Sequence, residues 1–164
     1  MLDGKKQGVD NMALEFNTIG VKLGYATEAT AGSRPTSGYA NIPDIKSIPA
    51  VNLTPSKLEV TNLVDKYKRY ISGVLDGGDD INVTANLTAS LKTVWASLVS
   101  AADTAWASGK STWFEISIPG FDSFYFAGIP TEMGFNQMGV DAVAEASLHI
   151  IPNQIAGWAS ASTT

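Results

Sequence analysis

The stretch Ile81-Asn82-Val83-Thr84-Ala85-Asn86-Leu87-Thr88 decides the fold, because apolar and polar residues alternate through all of it. Successive side chains of a β-strand point to opposite faces of a sheet. The residues predicted to face a core are Ile81, Val83, Ala85 and Leu87. The residues predicted to face water are all uncharged, and they are Asn82, Thr84, Asn86 and Thr88. The stretch therefore predicts a half-buried strand with a hydrated, neutral outer face.

An amphipathic helix is predicted directly after this strand, because the apolar period changes from two residues to three and four. The apolar positions are Val94, Trp95, Leu98, Val99, Ala102 and Trp106. Ser90 can cap the first turn, and Gly109 stands where helices commonly end. We therefore predict one helix over about residues 91–108, with Trp95 and Trp106 in the core.

Further strands are predicted on both sides of this unit. They lie within residues 14–25, 58–63, 113–118, 121–129 and 142–151. Pro152 is predicted to end the last strand, and residues 72–80 are predicted to form a turn-rich link. Six to eight strands with one helix predict an α+β fold, in which a mostly antiparallel β-sandwich or barrel packs against the helix.

The predicted domain organisation is a single domain over residues 14–152, with a flexible N-terminal arm at 1–13 and a C-terminal tail at 153–164. Inside the domain, residues 26–50 are predicted to form one long extended loop. Loops longer than about 15 residues are uncommon in compact domains and are usually functional or disordered. The apolar anchors of this loop are Tyr39, Ile42, Ile45 and Ile48. We predict that these anchors pack on a neighbouring subunit.

Composition favours a chain that associates with other copies of itself. Hydrophobic residues make up 45% of the chain, while charged residues make up 16%, below the roughly 25% of an ordinary soluble domain. A weakly charged surface is typical of contacts between copies. The formal net charge of −5 provides no electrostatic footprint for nucleic acid. Because no apolar stretch resembles a signal peptide or a membrane span, we expect a soluble product of the cytoplasm.

No constellation of residues points to catalysis, a metal or a cofactor. Ser108-Gly109-Lys110-Ser111 resembles the end of a phosphate-binding loop, but Thr104 stands where that motif needs a glycine. Asp76-Gly77-Gly78-Asp79-Asp80 lacks the alternating acids and downstream glutamate of a calcium loop. The chain has no cysteine, and its single histidine, His149, has no Gly-x-Ser-x-Gly elbow to serve. We predict no catalytic residue, no metal ligand and no cofactor, and we expect His149 to bond to a backbone group or to face solvent.

One cluster combines basic and aromatic side chains. Its members are Lys66, Tyr67, Lys68, Arg69 and Tyr70. Such a pattern can stack on and grip single-stranded nucleic acid. In a chain with a net charge of −5, however, three cations are a weak footprint. We predict instead that the cations pair with carboxylates of an adjacent subunit.

A specific resemblance is carried by residues 58–84. Leu58-Glu59-Val60-Thr61-Asn62-Leu63 is followed by Tyr67-Lys68-Arg69-Tyr70-Ile71-Ser72-Gly73-Val74-Leu75-Asp76 and then by the alternating strand. This order is similar to bacteriophage tail tube proteins, in which v-x-v-T-x-L leads into Y-x-x-Y-I-x-G-L-x-D. Ile42-Pro43-Asp44-Ile45 also looks like the start of that region, and the later elements extend the resemblance over residues 14–152. Ile151-Pro152 departs from the small Ser-Gly pair that often ends the family's last strand.

The resemblance implies a structural role. Subunits of this family form hexameric rings that stack into the hollow tube of a long-tailed phage, and each contributes strands to a continuous inner barrel. The tube surrounds a tape measure protein during assembly, meets tail terminator and distal tail or baseplate proteins at its ends, and conducts double-stranded DNA. The resemblance thus implies a homo-oligomer of the virion, assembled in the host cytoplasm, without enzymatic activity or a membrane partner.

Two sets of site residues follow from the resemblance. A conduit for DNA should not hold phosphate, so neutral and acidic side chains are expected to line its bore. The lumen-facing candidates are Asn82, Thr84, Asn86, Thr88, Glu145 and Ser147. The candidates for contacts between subunits are Tyr39, Ile42, Ile45, Ile48, Lys66, Lys68, Arg69 and Tyr70.

An alternative function of a different class is a β-sandwich carbohydrate-binding or adhesion module. It would be monomeric and would offer Trp113, Tyr125 and Trp158 as an exposed platform for sugars. The long loop and the low charge weigh against this alternative. An enzyme is a third alternative, for which the sequence offers no constellation.

Overall fold

The computed structural model describes residues 16–76 and 79–163 of the 164-residue chain. The predicted N-terminal arm at 1–13 lies outside the described residues. In chain order the elements are β1 (Lys22–Thr27), β2 (Ala40–Asn41), β3 (Ile45–Ser47), β4 (Thr54–Glu59), β5 (Tyr70–Asp76), β6 (Ile81–Asn86), α1 (Ala89–Ala107), β7 (Thr112–Ser117), β8 (Ser123–Pro130), β9 (Gly134–Phe135) and β10 (Glu145–Ala159).

Eight of these strands form one antiparallel sheet. Their order is β2-β1-β7-β8-β10-β6-β3, with β9 added to β10. The sheet curls into a half-barrel, and β10 is its longest strand. The first part of β10 pairs with β6 and the second part with β8. Mostly antiparallel strands with one described helix confirm the predicted α+β class.

The core lies between α1 and one face of this sheet. Leu91, Trp95 and Leu98 of α1 are fully buried and pack against apolar residues of the strands. Of the four residues predicted to face the core, Ile81, Val83 and Ala85 are there, together with Ala146, Leu148 and Ile150 of β10. The prediction is wrong for Leu87, which follows the end of β6 and is 36% exposed. The indole N–H of Trp95 donates a hydrogen bond to the carbonyl of Thr131 at 2.8 Å. This bond ties the helix to the connection that follows β8.

The start of α1 corrects one prediction. The N-cap is Thr88, whose Oγ1 accepts a hydrogen bond from the N–H of Leu91 at 3.1 Å. Ser90, the predicted cap, lies inside the first turn. Either residue type can cap a helix, so the choice depends on where the strand ends and the backbone changes direction.

The end of α1 lies where the sequence places it. Gly109 has a φ of +70°, which favours glycine, and its N–H bonds to the carbonyl of Trp106 at 3.0 Å. The N–H of Lys110 bonds to the carbonyl of Ala105 at 2.9 Å. The predicted stop at Gly109 is confirmed, whereas the predicted burial of Trp106 is wrong, since this side chain is 59% exposed. Among the described residues, no helix combines the length and the apolarity needed to cross a membrane.

The last strand continues well beyond its predicted end at Pro152. β10 runs to Ala159, so residues 153–159 of the predicted tail belong to the sheet. The carbonyl of His149 accepts from the N–H of Thr131, on the side of β8. Alternation along the strand then turns the backbone nitrogen of Pro152 away from β8. The missing N–H removes no bond between the two strands, so the proline does not end the pairing.

Three other strand boundaries differ from the sequence prediction. β1 begins only at Lys22, and β4 ends at Glu59 instead of continuing to residue 63. β5 occupies much of the region predicted as a turn-rich link. In β5, Tyr70, Ile71 and Val74 favour extended backbone and outweigh the turn preference of the glycine among them.

The burial of α1 makes a direct prediction. Leu98→Ala should lower the free energy of unfolding by about 2–5 kcal/mol, because it leaves a cavity at a fully buried position. Trp106→Ala, on the exposed side of the same helix, should lower it by less than about 1 kcal/mol. Urea denaturation followed by circular dichroism measures both variants. Equal losses would contradict the placement of α1 on the sheet.

Candidate assembly surfaces

The β4–β5 hairpin forms a second sheet of two strands. The strands pair from Thr54↔Asp76 to Glu59↔Tyr70, and neither has another partner among the described strands. Every residue of β4 is exposed. We call residues 53–76 the hairpin arm.

Both faces of the hairpin arm carry exposed apolar side chains. Tyr70 and Ile71 are neighbours in β5 and therefore point to opposite faces, and each is about half exposed. Val74 is 83% exposed. The other exposed apolar residues of the arm are Leu53, Leu58, Val60, Leu63, Val64, Tyr67 and Leu75. A two-stranded hairpin is marginally stable alone in water, and exposed apolar surface of this kind is typical of interaction sites.

The tip of the hairpin arm presents two apolar residues outward. The side-chain oxygen of Asn62 accepts from the N–H of Val64 at 3.0 Å. The N–H of Asn62 donates to Oδ2 of Asp65 at 3.0 Å. Such bonds between side chain and backbone define a turn. Leu63 and Val64 are almost wholly exposed, so the turn holds a defined apolar projection.

The basic cluster pairs within the hairpin arm. Nζ of Lys68 lies 3.5 Å from Oε2 of Glu59, and Nη1 of Arg69 lies 3.5 Å from Oδ1 of Asp65. Both cations thus have a carboxylate partner within their own arm, and their contact with an adjacent subunit stays a prediction. Because Lys68 and Arg69 are largely exposed, water screens these pairs and each contributes little stability. Lys66 is exposed beside them, so the tip carries positive charge next to its apolar residues.

Five of the six lumen-facing candidates share one face of the main sheet. The facing pairs between β6 and β10 are Asn82 with His149, Thr84 with Ser147, and Asn86 with Glu145. The alternate positions Val83 and Ala85 are buried against α1, so the polar residues point away from the helix. We call these six residues the polar sheet face. Only the pairing of the two strands makes them one surface.

The charge on the polar sheet face is balanced locally. Lys46 of β3 forms an ion pair with Glu145. Asn136 donates to Oε2 of Glu145 at 3.2 Å. The hydrogen bond from Lys46, and after it the one from Asn136, lowers the pKa of Glu145. Glu145 therefore stays ionised at neutral pH beside a cation that offsets its charge.

His149 has two partners that the sequence does not indicate. Nε2 lies 2.8 Å from Oδ2 of Asp80, and Nδ1 lies 3.2 Å from Oγ1 of Thr131. Both partners are side chains, whereas the sequence predicted a backbone partner or solvent, and the His149 side chain is 31% exposed. The Thr131 hydroxyl also lies 3.3 Å from the carbonyl of His149, to which it can donate. Within residues 16–76 and 79–163, no group of three or more His, Cys, Asp or Glu side chains is arranged to hold a metal ion.

Thr88 does not belong to the polar sheet face. β6 ends at Asn86, and the Thr88 oxygen caps α1. Its hydroxyl donates to a carboxylate oxygen of Asp44. The prediction that Thr88 continues the row of lumen-facing residues is therefore wrong.

The predicted long loop at 26–50 packs on its own subunit and contains β2 and β3. Ile42 is 2% exposed, belongs to the core and donates its N–H to the carbonyl of Leu23 at 2.8 Å. The prediction that Ile42 contacts a neighbouring subunit is therefore wrong. Ile45 and Ile48 are partly buried against the same core, and Tyr39 packs on the other side of the sheet. The anchors hold the loop to its own sheet, which leaves the hairpin arm as the projecting segment.

The aromatic platform of the alternative function is mostly covered. Trp113 and Tyr125 are 3% and 0% exposed. The guanidinium of Arg34 lies 4.0 Å from the centre of the Tyr125 ring, and the ring of Tyr39 lies 5.7 Å from it. Of the three proposed aromatic residues, Trp158 alone is substantially exposed. Sugars cannot stack on buried rings, so the predicted platform is wrong.

A buried carboxylate, Glu28, holds part of this cover in place. Oε1 accepts from the indole N–H of Trp113 at 2.9 Å. Oε2 accepts from the N–H groups of Ser111 at 3.1 Å and Gly32 at 2.9 Å. Burial alone would raise the pKa of Glu28, but these hydrogen bonds and the nearby charge of Lys110 lower it.

A second buried carboxylate, Glu115, fixes the end of the chain. It accepts from the hydroxyl of Tyr125 at 3.0 Å, and from the N–H and hydroxyl of Ser162 at 3.0 and 2.7 Å. Burial would raise the pKa of Glu115, but the bonds from Ser162, with smaller contributions from Ser123 and Tyr125, lower it. The sequence did not predict this role for Glu115. The only signal was a carboxylate alternating with the core residues Phe114 and Ile116.

Comparisons with known proteins identify the fold. No protein-family model matches the chain, and no curated protein matches it. One similar solved chain belongs to the cryo-EM structure of the anti-feeding prophage baseplate, 6-fold symmetrised; the TM-score is 0.57 at 8% identity, covering 87% of this chain and 93% of that chain. Another belongs to the tail of an empty gene transfer agent particle, computed with helical refinement and C6 symmetry. Its TM-score is 0.55 at 12% identity, and the similarity covers 88% of this chain and 100% of that chain. At these identities the similarity shows a shared fold.

The two buried carboxylates predict an acid-sensitive fold. The pKa values of Glu28 and Glu115 lie below the ordinary value of 4.5, so the unfolded chain takes up protons first as the pH falls. Their contribution to stability is complete above about pH 5.5 and is lost as the pH falls through 4.5 towards the folded pKa values.

Chemical denaturation between about pH 7 and pH 3 measures this dependence. Glu115→Gln should flatten the decline in the free energy of unfolding. Glu59→Gln, at an exposed position of the hairpin arm, is the control and should leave the decline in place. A Glu115→Gln profile identical to that of the parent chain would argue against this role.

Proposed function

We propose that the chain is a structural subunit of a phage-like tail, and that it assembles into stacked, six-fold rings around a hollow tube that conducts double-stranded DNA. The fold similarity to chains of a 6-fold baseplate and of a C6 tail supports a tail component. The location that accompanies this role is the virion, after assembly in the host cytoplasm. A tape measure protein then occupies the bore before DNA does, and terminator and baseplate proteins meet the ends.

The observation that carries the proposal is the hairpin arm. Its apolar side chains are open on both faces, and within the described part of the chain both of its outer strand edges are unpaired. Open edges and apolar faces favour addition of a further strand or chain. Contacts between two different surfaces of identical subunits close into a ring when the rotation between neighbours allows it. Repeated subunits therefore provide each arm with the cover that it lacks alone.

The polar sheet face supports a role as the wall of a conduit. Asn82, Thr84 and Asn86 are neutral, and the carboxylate of Glu145 is offset by Lys46. Binding to DNA depends chiefly on surplus cations that replace the counterions of phosphate. A surface without such a surplus lets DNA pass. We assign the polar sheet face to the bore on this ground.

The proposal predicts that the purified chain assembles by itself. The full-length chain should form rings or tubes with a central hole, observed by light scattering and negative-stain electron microscopy. The double variant Leu58→Ser/Val74→Ser should raise the concentration needed for assembly at least about tenfold, because covering each apolar side chain stabilises the contact by roughly 1 kcal/mol or more.

The matched control for this experiment is Lys57→Gln, which changes an exposed residue of the same strand without removing apolar surface. It should assemble like the parent chain. A parent chain that remains monomeric at every concentration contradicts the proposed assembly. Normal assembly of the double variant contradicts the role of the arm.

The bore can be mapped with cysteine, because the sequence contains none. In assembled tubes, Asn82→Cys should react with a small maleimide but not with a maleimide linked to a large polymer, since only the small reagent diffuses along a narrow bore. Dissociated subunits should react with both reagents. Reaction of tubes with both reagents would place Asn82 on the outside, and reaction with neither would place it between subunits; each result contradicts the assignment.

A further inference from the structure

A groove beside α1 has an apolar floor and an acidic rim. Its volume is about 390 Å³, within the range of sites that bind ligands. Trp95, Val99 and Met133 form the floor. Val99 and Met133 are only partly buried by the core of their own subunit, so they keep surface free for another group. On the rim stand the exposed carboxylates Asp103 and Glu132.

The groove lies between two walls of the same subunit. One wall is α1, on which the row from Lys92 to Asp103 extends over roughly 16 Å at a rise of 1.5 Å per residue. The other wall is the connection after β8. The hydrogen bond of 2.8 Å from the indole N–H of Trp95 to the carbonyl of Thr131 joins the two walls.

The tip of the hairpin arm is complementary to this groove in chemistry. Leu63 and Val64 project from a defined turn and match the apolar floor. Exposed Lys66 and Lys68 follow them in the chain and match the acidic rim, and the pair that Lys68 forms with Glu59 of its own arm is largely exposed. Within their own subunit, Leu63 and Val64 are exposed and so do not occupy the groove.

The hairpin arm is long enough to reach a second subunit. From Thr54 to Val60, whose N–H still bonds to the carbonyl of Arg69, the arm covers roughly 20 Å at about 3.3 Å per residue, and the turn with Leu63 lies beyond it. A domain of this size has a radius of gyration of only about 14 Å. The tip can therefore extend past the edge of its own subunit.

We propose that the groove of one copy receives Leu63 and Val64 from the hairpin arm of a second copy, with Lys66 and Lys68 beside Asp103 and Glu132. This inference rests on the proposed assembly and deepens it by naming the surface that covers the tip. The apolar contact holds the tip, and the charges set its orientation. Lys92, at the far end of the groove, disfavours the reversed orientation by repulsion of like charges.

Disulfide trapping tests this contact, since every cysteine is introduced. A chain with Val64→Cys is mixed with a tagged chain carrying Ser100→Cys, at an exposed position on the groove. After assembly and mild oxidation, the mixed dimer should form. Its yield should be several times higher than with Ser47→Cys, a matched exposed serine on β3.

Charge reversal provides an independent readout. Asp103→Lys/Glu132→Lys should raise the concentration needed for assembly about three- to tenfold, and Lys66→Glu/Lys68→Glu in the same chain should restore it. If tubes form but the disulfide yield is equal at Ser100→Cys and Ser47→Cys, the contact between tip and groove is contradicted and the proposed function is not. The same holds if the second charge reversal does not restore assembly. A chain that never assembles overturns both.

Discussion

The antiparallel pairing of β6 with β10 is the constraint on which the rest of the structure depends. Its register places Val83 opposite Leu148 on the face covered by α1, and it places Thr84 opposite Ser147 on the other face. A slip of one residue would turn the apolar set of a strand to solvent and its polar set into the core. Because such a slip is costly, the register determines both where the helix packs and which surface remains polar.

The face of the sheet opposite α1 is divided between two uses. Over β7 and β8 it carries the buried rings of Trp113 and Tyr125, and the loop before β2 and the segment after β10 cover it. Buried Glu28 and Glu115 hold these segments by accepting hydrogen bonds from their backbone and from the aromatic residues beneath. Over β6 and β10 the same face is polar and open. One sheet thus provides both a closed surface and a wetted one.

The hairpin arm is the part of the molecule that its own fold leaves incomplete. Two strands cannot bury both of their faces, and the arm has no third layer among the described residues. The proposed assembly gives each arm a neighbour, which is consistent with the low proportion of charged residues. A groove beside α1 has the apolar floor and acidic rim that such a neighbour needs. In the proposed assembly, function therefore resides in surfaces between copies.

The sequence by itself determined the α+β class, the phase of the strand at Ile81–Asn86 and the stop of α1 at Gly109, because these depend on residue period and local backbone conformation. Alternation was also sufficient to select five residues of the polar sheet face. Only the tertiary structure decided that β10 passes Pro152, that Ile42 and Trp113 are buried, and that the hairpin arm is open. The physical reason is that pairing partners and covering segments come from distant parts of the chain, which local patterns do not specify.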